Sequence, residues 1–288
     1  MYAADFNYYR ARSIAEAGDL LRKNPGAKLL AGGHSLIPLL KLRLTVPPAL
    51  IDIGRIAELT GITVEGGRVR IGSLTTHADL AASAAVREHC PALADAAAQI
   101  GDPAVRNRGT IGGNVAHADP ASDLPTVLTA LGGRFAVTGP DGSRNVDAAD
   151  FFKGMMATAL GEHDLLTAIE VPARAKGQGM SYVKFVHPAS RYAVVGVAAA
   201  VSVSGGKCTA AALAVGGLVP RPVRAAAVEK ALSGQPLSPE TIATAAGRVS
   251  HDLGTDILGD LYASAEYRQA IAPVWVKRAI TLAGSRAN

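Results

Sequence analysis

The sequence predicts an α+β chain built in three parts. Short apolar strands and capped helices share the first two-thirds, a small basic segment with two glycines at residues 173–179 interrupts them, and beyond it a group of strands gives way to helices alone. The expected parts are 1–55, 56–176 and 177–288. The last is expected to pair a three-stranded antiparallel sheet with a helix bundle.

In the first part, Ser13 precedes Ile14, Ala17, Leu20 and Leu21, with Glu16 three residues on. That pattern is a capping box opening an amphipathic helix. Asn24-Pro25-Gly26 stops it. Lys28 to Leu30 reads as a strand that delivers Ala31-Gly32-Gly33-His34-Ser35-Leu36 at its end. Leu36 to Leu44 is apolar, ended by Pro47-Pro48, and Leu50 to Ile53 is another strand. The unit reads as β-α-β-β with its loop at a strand end, where ligands of α/β units sit.

In the second part, Ile62, Val64, Val69 and Ile71 alternate across Gly66-Gly67, a hairpin signal. Thr76 to Val86 is Ala-rich and helical, with a second start near Ser83. Pro91 sits at the first position of a further helix. Gly101-Asp102-Pro103 is a turn leading to Thr110-Ile111-Gly112-Gly113-Asn114, read as a second glycine loop. Asp123 is a cap candidate for a helix opening at Leu124-Pro125. Arg134 to Thr138 and Ala168 to Val171 are strands.

The third part begins with strands at Ser181 to Val186, Val194 to Val203 and Thr209 to Val215. Helices follow at Ala225 to Leu232, after Ser238-Pro239, and at Tyr267 to Ala283.

Composition narrows the function. Apolar residues make up 49% and charged residues 18% of 288, so the chain buries a sizeable core. The net charge of +5 is spread without Lys/Arg runs or interleaved aromatics, which argues against nucleic acid. Cys90 and Cys208 stand alone, leaving no cysteine spacing for a disulfide framework, a zinc site or an iron–sulfur cluster. The seven histidines show no metal-ligand spacing. No stretch is long and apolar enough to span a bilayer, and residues 1–6 lack a signal-peptide pattern, so a soluble cytoplasmic protein is expected. There is no Gly-x-Gly-x-x-Gly, no P-loop and no nucleophile elbow.

The two glycine motifs remain. A Gly-Gly pair lets backbone N–H groups converge on an anion with no Cβ in the way. Two such motifs, far apart in sequence, read either as ordinary turns or as two walls of one groove holding a diphosphate.

These residues carry a resemblance. Ala31 to Leu36, Thr110 to Asn114, Asp119-Pro120-Ala121-Ser122-Asp123-Leu124-Pro125, Leu165-Leu166-Thr167-Ala168-Ile169, and Lys184 with Tyr192 occur in the order and spacing of the FAD-binding medium subunit of the molybdenum hydroxylases. The chain resembles that family over essentially its whole length, most of all the carbon monoxide dehydrogenase type.

The resemblance implies a two-part FAD-binding fold of the vanillyl-alcohol oxidase/PCMH type, followed by a C-terminal domain. It implies that Ala31, Gly32, Gly33, His34, Ser35 and Leu36 hold the FAD pyrophosphate through backbone amides. Thr110, Ile111, Gly112, Gly113 and Asn114 do the same from the middle part, with Thr and Asn side chains adding hydrogen bonds. Asp123 matches a carboxylate on the adenosine portion, Leu166 a backbone contact to the flavin ring, Lys184 a ring or ribityl contact, and Tyr192 a tyrosine near the ring.

FAD is expected to be non-covalent. A Gly-Gly-His segment carries flavin covalently in another branch of the fold, but the medium-subunit pattern accounts for His34 without such a bond. No residue of this chain is expected to act as acid or base on the substrate. The implied partners are a large subunit with the molybdenum cofactor, a small subunit with two [2Fe–2S] clusters, and an external electron acceptor, in a heterotrimer or that heterotrimer doubled into a hexamer. Structural readings stand beside these: Asp123 as a cap, Lys184 on a solvated face, Tyr192 as a core or interface residue. The rival functions are a stand-alone flavin oxidase of the same fold and an assembly subunit without FAD.

Overall fold

The computed structural model describes residues 2–287. The first helix starts as its sequence dictates. Ser13 Oγ accepts from the Glu16 N–H at 3.1 Å, and the Glu16 carboxylate reaches back to the Arg12 N–H at 2.7 Å, so two donors at the helix start are satisfied reciprocally. This unit runs β1 (Asn7–Arg10), α1 (Ile14–Lys23), β2 (Lys28–Leu30), α2 (Leu36–Lys41) and β3 (Ala49–Asp52), with a parallel sheet ordered β1-β3-β2. The expected β-α-β-β thus becomes β-α-β-α-β. Pro38 hides α2 in the sequence, yet it sits in the first turn, where its missing N–H would have no intrahelical partner.

The middle unit contains β4 (Ile62–Glu65), β5 (Arg68–Gly72), α3 (His77–Ala82), α4 (Ala84–His89), α5 (Pro91–Gln99), α6 (Pro103–Arg106), α7 (Ile111–His117), α8 (Asp123–Ala130), β6 (Arg134–Gly139), β7 (Gly142–Asp147), α9 (Ala148–Phe151), β8 (Phe152–Gly154), β9 (Ala157–Thr158) and β10 (Leu165–Pro172). Five strands form one antiparallel sheet ordered β4-β5-β10-β6-β7. The β4–β5 turn places Gly66 and Gly67 at φ 56° and 72°, the left-handed pair a two-residue hairpin needs. Two expectations change here. Gly101-Asp102-Pro103 is less a turn than a helix start, with Asp102 capping α6. The second glycine motif is no loop: it is the first turn of α7, capped by Thr110.

The third unit holds β11 (Gln178–Val186), β12 (Ala193–Ser204), β13 (Lys207–Gly216), β14 (Val223–Arg224), α10 (Ala226–Leu232), α11 (Pro239–Ala246) and α12 (Ala265–Ser285). Its antiparallel sheet has four strands, not the expected three, because β14 pairs with Ala214 and Val215. Two residues between Pro222 and a helix carry no alternation to read.

Both faces of this sheet are covered, which explains its Ala/Val composition. Val195, Val197, Ala199 and Val201 face the core shared with α10–α12, while Ala198 and Ala200 join the core of the middle unit. The middle and third units are therefore packed through one continuous apolar layer. Among the described residues, no helix is long and apolar enough to cross a membrane.

Gly179 shows how tightly α12 is seated. A Cβ there would overlap the Ala283 carbonyl and lie 2.6 Å from the Ala287 nitrogen. Gly179→Val is expected to lower stability by about 1–3 kcal/mol or more in urea unfolding. Gly154→Ala, with nothing within 4 Å of the added carbon, is expected to stay within about 0.5 kcal/mol.

Candidate cofactor-binding cleft

The first and middle units enclose a cleft of about 590 Å³, closed on one side by the turn at Ser190, Arg191 and Tyr192. The first wall is the connection from β2 to α2. Gly33 takes φ +74°, a left-handed conformation that glycine adopts without strain. The N–H groups of Gly32, Gly33, His34 and Ser35 make no backbone hydrogen bond within the described residues. Successive donors without backbone partners therefore lie on residues that line the cleft. His34 is exposed, and its Nδ1 lies 3.0 Å from the Gly32 carbonyl of its own turn.

The second wall behaves differently. The Ile111 N–H donates to the Thr75 carbonyl at 3.0 Å, Gly112 to Ser73 at 2.8 Å, Gly113 to Thr110 Oγ1 at 3.1 Å and Asn114 to the Thr110 carbonyl at 3.0 Å. These four amides are engaged within the chain, and of this motif's N–H groups that of Thr110 alone makes no hydrogen bond. A capped helical turn uses the donors that a loop would leave free. Its offering is space and side chains. A Cβ on Gly113 would meet only Thr110 Oγ1, at 2.9 Å, whereas one on Gly112 would strike Ser73 backbone. Asn114 donates to Ser122 Oγ at 3.1 Å and leaves its Oδ1 buried without a partner.

The third wall depends on a buried charge pair. Asp123 is the first helical residue of α8, with Ser122 in the cap position, so Asp123 is not the cap. Its carboxylate accepts from the Tyr182 hydroxyl at 2.5 Å and from Lys184 Nζ at 3.0 Å. Lys184 Nζ also donates to the Gln99 carbonyl at 3.1 Å and the Arg191 carbonyl at 2.7 Å. Its three protons reach three cleft-wall segments. Arg191 has φ +61°, and this grip on its carbonyl holds the turn that presents Tyr192. Burial pushes the Asp123 carboxyl up and the Lys184 ammonium down, and each favours the other's charged form. Lys184 is thus neither on a solvated face nor in the cleft. It sits one layer behind.

Most expected site residues do converge. Ala31 to Leu36, Thr110, Gly112, Gly113, Asn114, Asp123, Leu166 and Tyr192 line the cleft, Leu166 buried and Tyr192 40% exposed. Ile111 and Lys184 do not line it. Ile111 belongs to the middle core. Ser73, Leu74, His77, Ile100 and Asp164 line it without belonging to any motif read from the sequence. His77 is 3% exposed, and burial pushes its imidazole down to about 4, aided by His34 and Arg106, so it is neutral at pH 7.

The donor set suits a diphosphate-bearing cofactor. Free amides line one side and a glycine leaves room opposite, as a diphosphate between them requires. The apolar side chains of Leu36, Leu39, Leu160 and Leu166 serve a flat ring or its chain.

Comparison with known proteins follows that geometry. The family described as the FAD binding domain in molybdopterin dehydrogenase matches residues 4–174, and the CO dehydrogenase flavoprotein C-terminal domain matches residues 180–283. The carbon monoxide dehydrogenase medium chain of Hydrogenophaga pseudoflava is 40% identical, over 98% of both chains. The glyceraldehyde dehydrogenase medium chain of Sulfolobus acidocaldarius is 39% identical, over 97% of this chain and 98% of that one. The structure of carbon monoxide dehydrogenase from Hydrogenophaga pseudoflava lacking the Mo-pyranopterin moiety superposes with a TM-score of 0.95 at 41% identity, covering 99% of each chain.

Two outcomes test the walls. Lys184→Met leaves a buried carboxylate unpaired and is expected to cost about 3–5 kcal/mol, much of it recovered when Asp123→Asn is added, in a double-mutant cycle of urea unfolding. His77 takes up a proton more readily in the unfolded chain, where its pKa is 6.5, than in the fold, where it is about 4. Its contribution to stability is therefore present above pH 6.5 and lost as pH falls towards 4. Relative to His77→Gln, the native chain is expected to lose up to about 3 kcal/mol across that window.

Proposed function

The chain belongs to the family of FAD-binding subunits of the molybdopterin dehydrogenases, and on that premise we propose that it holds one FAD non-covalently in the cleft and forms the electron exit of a molybdenum hydroxylase. The observation that carries this reading is the run of free amides from Gly32 to Ser35 in a cleft that Gly113 also lines. When bound, FAD supplies the redox chemistry by which electrons from the partners pass to an acceptor.

The chain's own residues do the holding. The first-wall amides donate to the diphosphate. Gly113 keeps the opposite side clear. Leu166 and Tyr192 flank the ring and limit its exposure to water. Asp123 and Lys184 fix the third wall from behind, and Asp123 can still accept on the cleft side. The His34 ring is turned onto its own backbone, which supports a non-covalent cofactor.

A large subunit with the molybdenum cofactor and a small subunit with two [2Fe–2S] clusters complete the assembly, a heterotrimer doubled into a hexamer in the cytoplasm. An external acceptor takes the electrons. Relatives of this chain are named for carbon monoxide and for glyceraldehyde, which supports a substrate chosen outside it.

The purified chain is expected to show flavin absorbance that acid precipitation releases to the supernatant as FAD. Gly113→Leu is expected to abolish flavin retention while the melting temperature shifts by no more than a few degrees. Normal flavin content in that variant would sink the cleft assignment, and flavin left on the precipitate would point to His34.

A further inference from the structure

The helix α2 has two sides. Leu36 and Leu39 line the cleft, and Leu40 is buried. Ile37 is exposed, and its Cδ1 lies over the first motif, 2.7 Å from where a Cβ on Gly33 would stand. The helix then closes in a Schellman motif: the Arg43 N–H donates to the Leu40 carbonyl at 3.0 Å and the Leu44 N–H to the Leu39 carbonyl at 2.9 Å. The left-handed position of that motif is usually glycine, and here it is Arg43 at φ 55°. The residue after it usually packs back onto the helix, and here it is Leu44, 70% exposed. Leu42 and Val46 are 56% and 60% exposed, and Arg43 Nε donates to the carbonyl of the exposed Tyr2 at 3.3 Å.

A hydrogen-bonded turn that strains a non-glycine residue to hold leucines out in water needs an explanation. Apolar side chains gathered in one exposed patch mark a surface that another molecule covers. The charge among them describes that molecule. Lys41 and Arg43 stand exposed between the leucines, and neither enters an ion pair among the described residues. Residues 20–51 hold five Lys and Arg and no Asp or Glu. The surface that fits is apolar at its centre and acidic around it.

We infer that the outer side of α2 and the turn after it, Ile37 to Val46, form the docking surface for the small iron–sulfur subunit of the proposed assembly. Two observations choose this partner. The patch is the outer side of a helix whose inner side lines the cleft, so a protein seated on it lies one helix thickness, about 10–12 Å, from a cofactor held there. The subunit that hands electrons to the flavin must come that near. The molybdenum subunit, which passes its electrons through the clusters, need not. The patch is also hydrogen-bonded in place and apolar, as permanent interfaces are, whereas an acceptor that comes and goes would meet a smaller and more polar surface.

The assignment rests on the assembly proposed above, and the test separates the two. The full chain is mixed with the separately purified iron–sulfur subunit and, in parallel, with the molybdenum subunit, and binding is followed by analytical sedimentation. Leu42→Asp with Leu44→Asp is expected to weaken binding of the iron–sulfur subunit roughly tenfold or more, while flavin content stays native and the melting temperature shifts by no more than a few degrees. Lys41→Glu with Arg43→Glu is expected to weaken it most at low salt. Val274→Asp, on the exposed side of α12, is expected to leave it unchanged. Native binding in the leucine variant would overturn the assignment, and native binding in the Lys41 and Arg43 variant would overturn the acidic rim. Loss of the molybdenum subunit alone would give the patch to that partner. A chain that dimerises by itself and becomes monomeric in the leucine variant, with iron–sulfur binding intact, would give it to a second copy. A native chain that binds neither subunit would overturn the assembly reading itself.

Discussion

The cleft exists because backbone touches backbone at glycine. Gly32 lies on the Arg108 carbonyl, Gly112 on Ser73 and Gly109 on the His77 ring, and in each case a Cβ would occupy space that another residue already fills. These contacts bring the end of β2, the start of α7 and the start of α3 to a common level. Without them the first unit would stand off from the middle unit by a side chain's width, and no single ligand would reach both. The glycines therefore have two jobs. Gly32, Gly109 and Gly112 allow close approach of protein to protein. Gly113 leaves open space on the cleft side, and Gly33 supplies a left-handed turn among amides that have no backbone partner.

This division leaves the run of free amides on one wall. The first motif keeps the N–H groups of Gly32 to Ser35 free, while the second gives those of Ile111 to Asn114 to a cap or to the neighbouring segment. Two motifs that look alike as text differ because one sits in an irregular connection and the other in a helical turn. Under the proposed function, recognition of FAD rests on neutral donors from one loop together with side-chain atoms from elsewhere. Neutral donors suit a diphosphate, whose charge they meet without bringing buried cations of their own.

The third wall uses a different principle. Lys184 is a buried ammonium whose three protons are all matched, to Gln99, Asp123 and Arg191. A buried ion pair contributes little net stability by itself, but it penalises any rearrangement that would unpair it. Here it holds Arg191 in a left-handed conformation and so sets where Tyr192 stands. The charge pair spans the seam between the middle and third units. The C-terminal sheet is thereby part of the cofactor site, and its small Ala198 and Ala200 side chains let it approach α5 and α8 closely enough to be so.

Much of this was legible in the sequence, and what was legible was local. Ser13, Thr76, Ser83 and Ser238 cap helices by accepting from an N–H three residues on, and those helix starts followed from that chemistry, whereas Asp102 and Thr110 cap in the same way in segments that read as a turn and a loop. Alternation located the long strands, and the order of five motifs identified the family. Elements too short for a period, α2 and β14, escaped, because two to six residues flanked by proline carry no pattern. The roles that depend on distance escaped as well. Nothing local distinguishes a free amide at Gly32 from an engaged one at Gly112. Lys184 in an alternating strand reads as solvated until the fold closes over it, and Ser73 and His77 join the cleft wall only when the fold brings them there. The sequence alone determined the helix caps, the strand periods, the family and the cofactor class, since each depends on residues near in the chain. Only the tertiary structure decided which donors face the cleft, which charge lies behind it and which polar atoms are left without partners, since those depend on residues brought together across the whole chain.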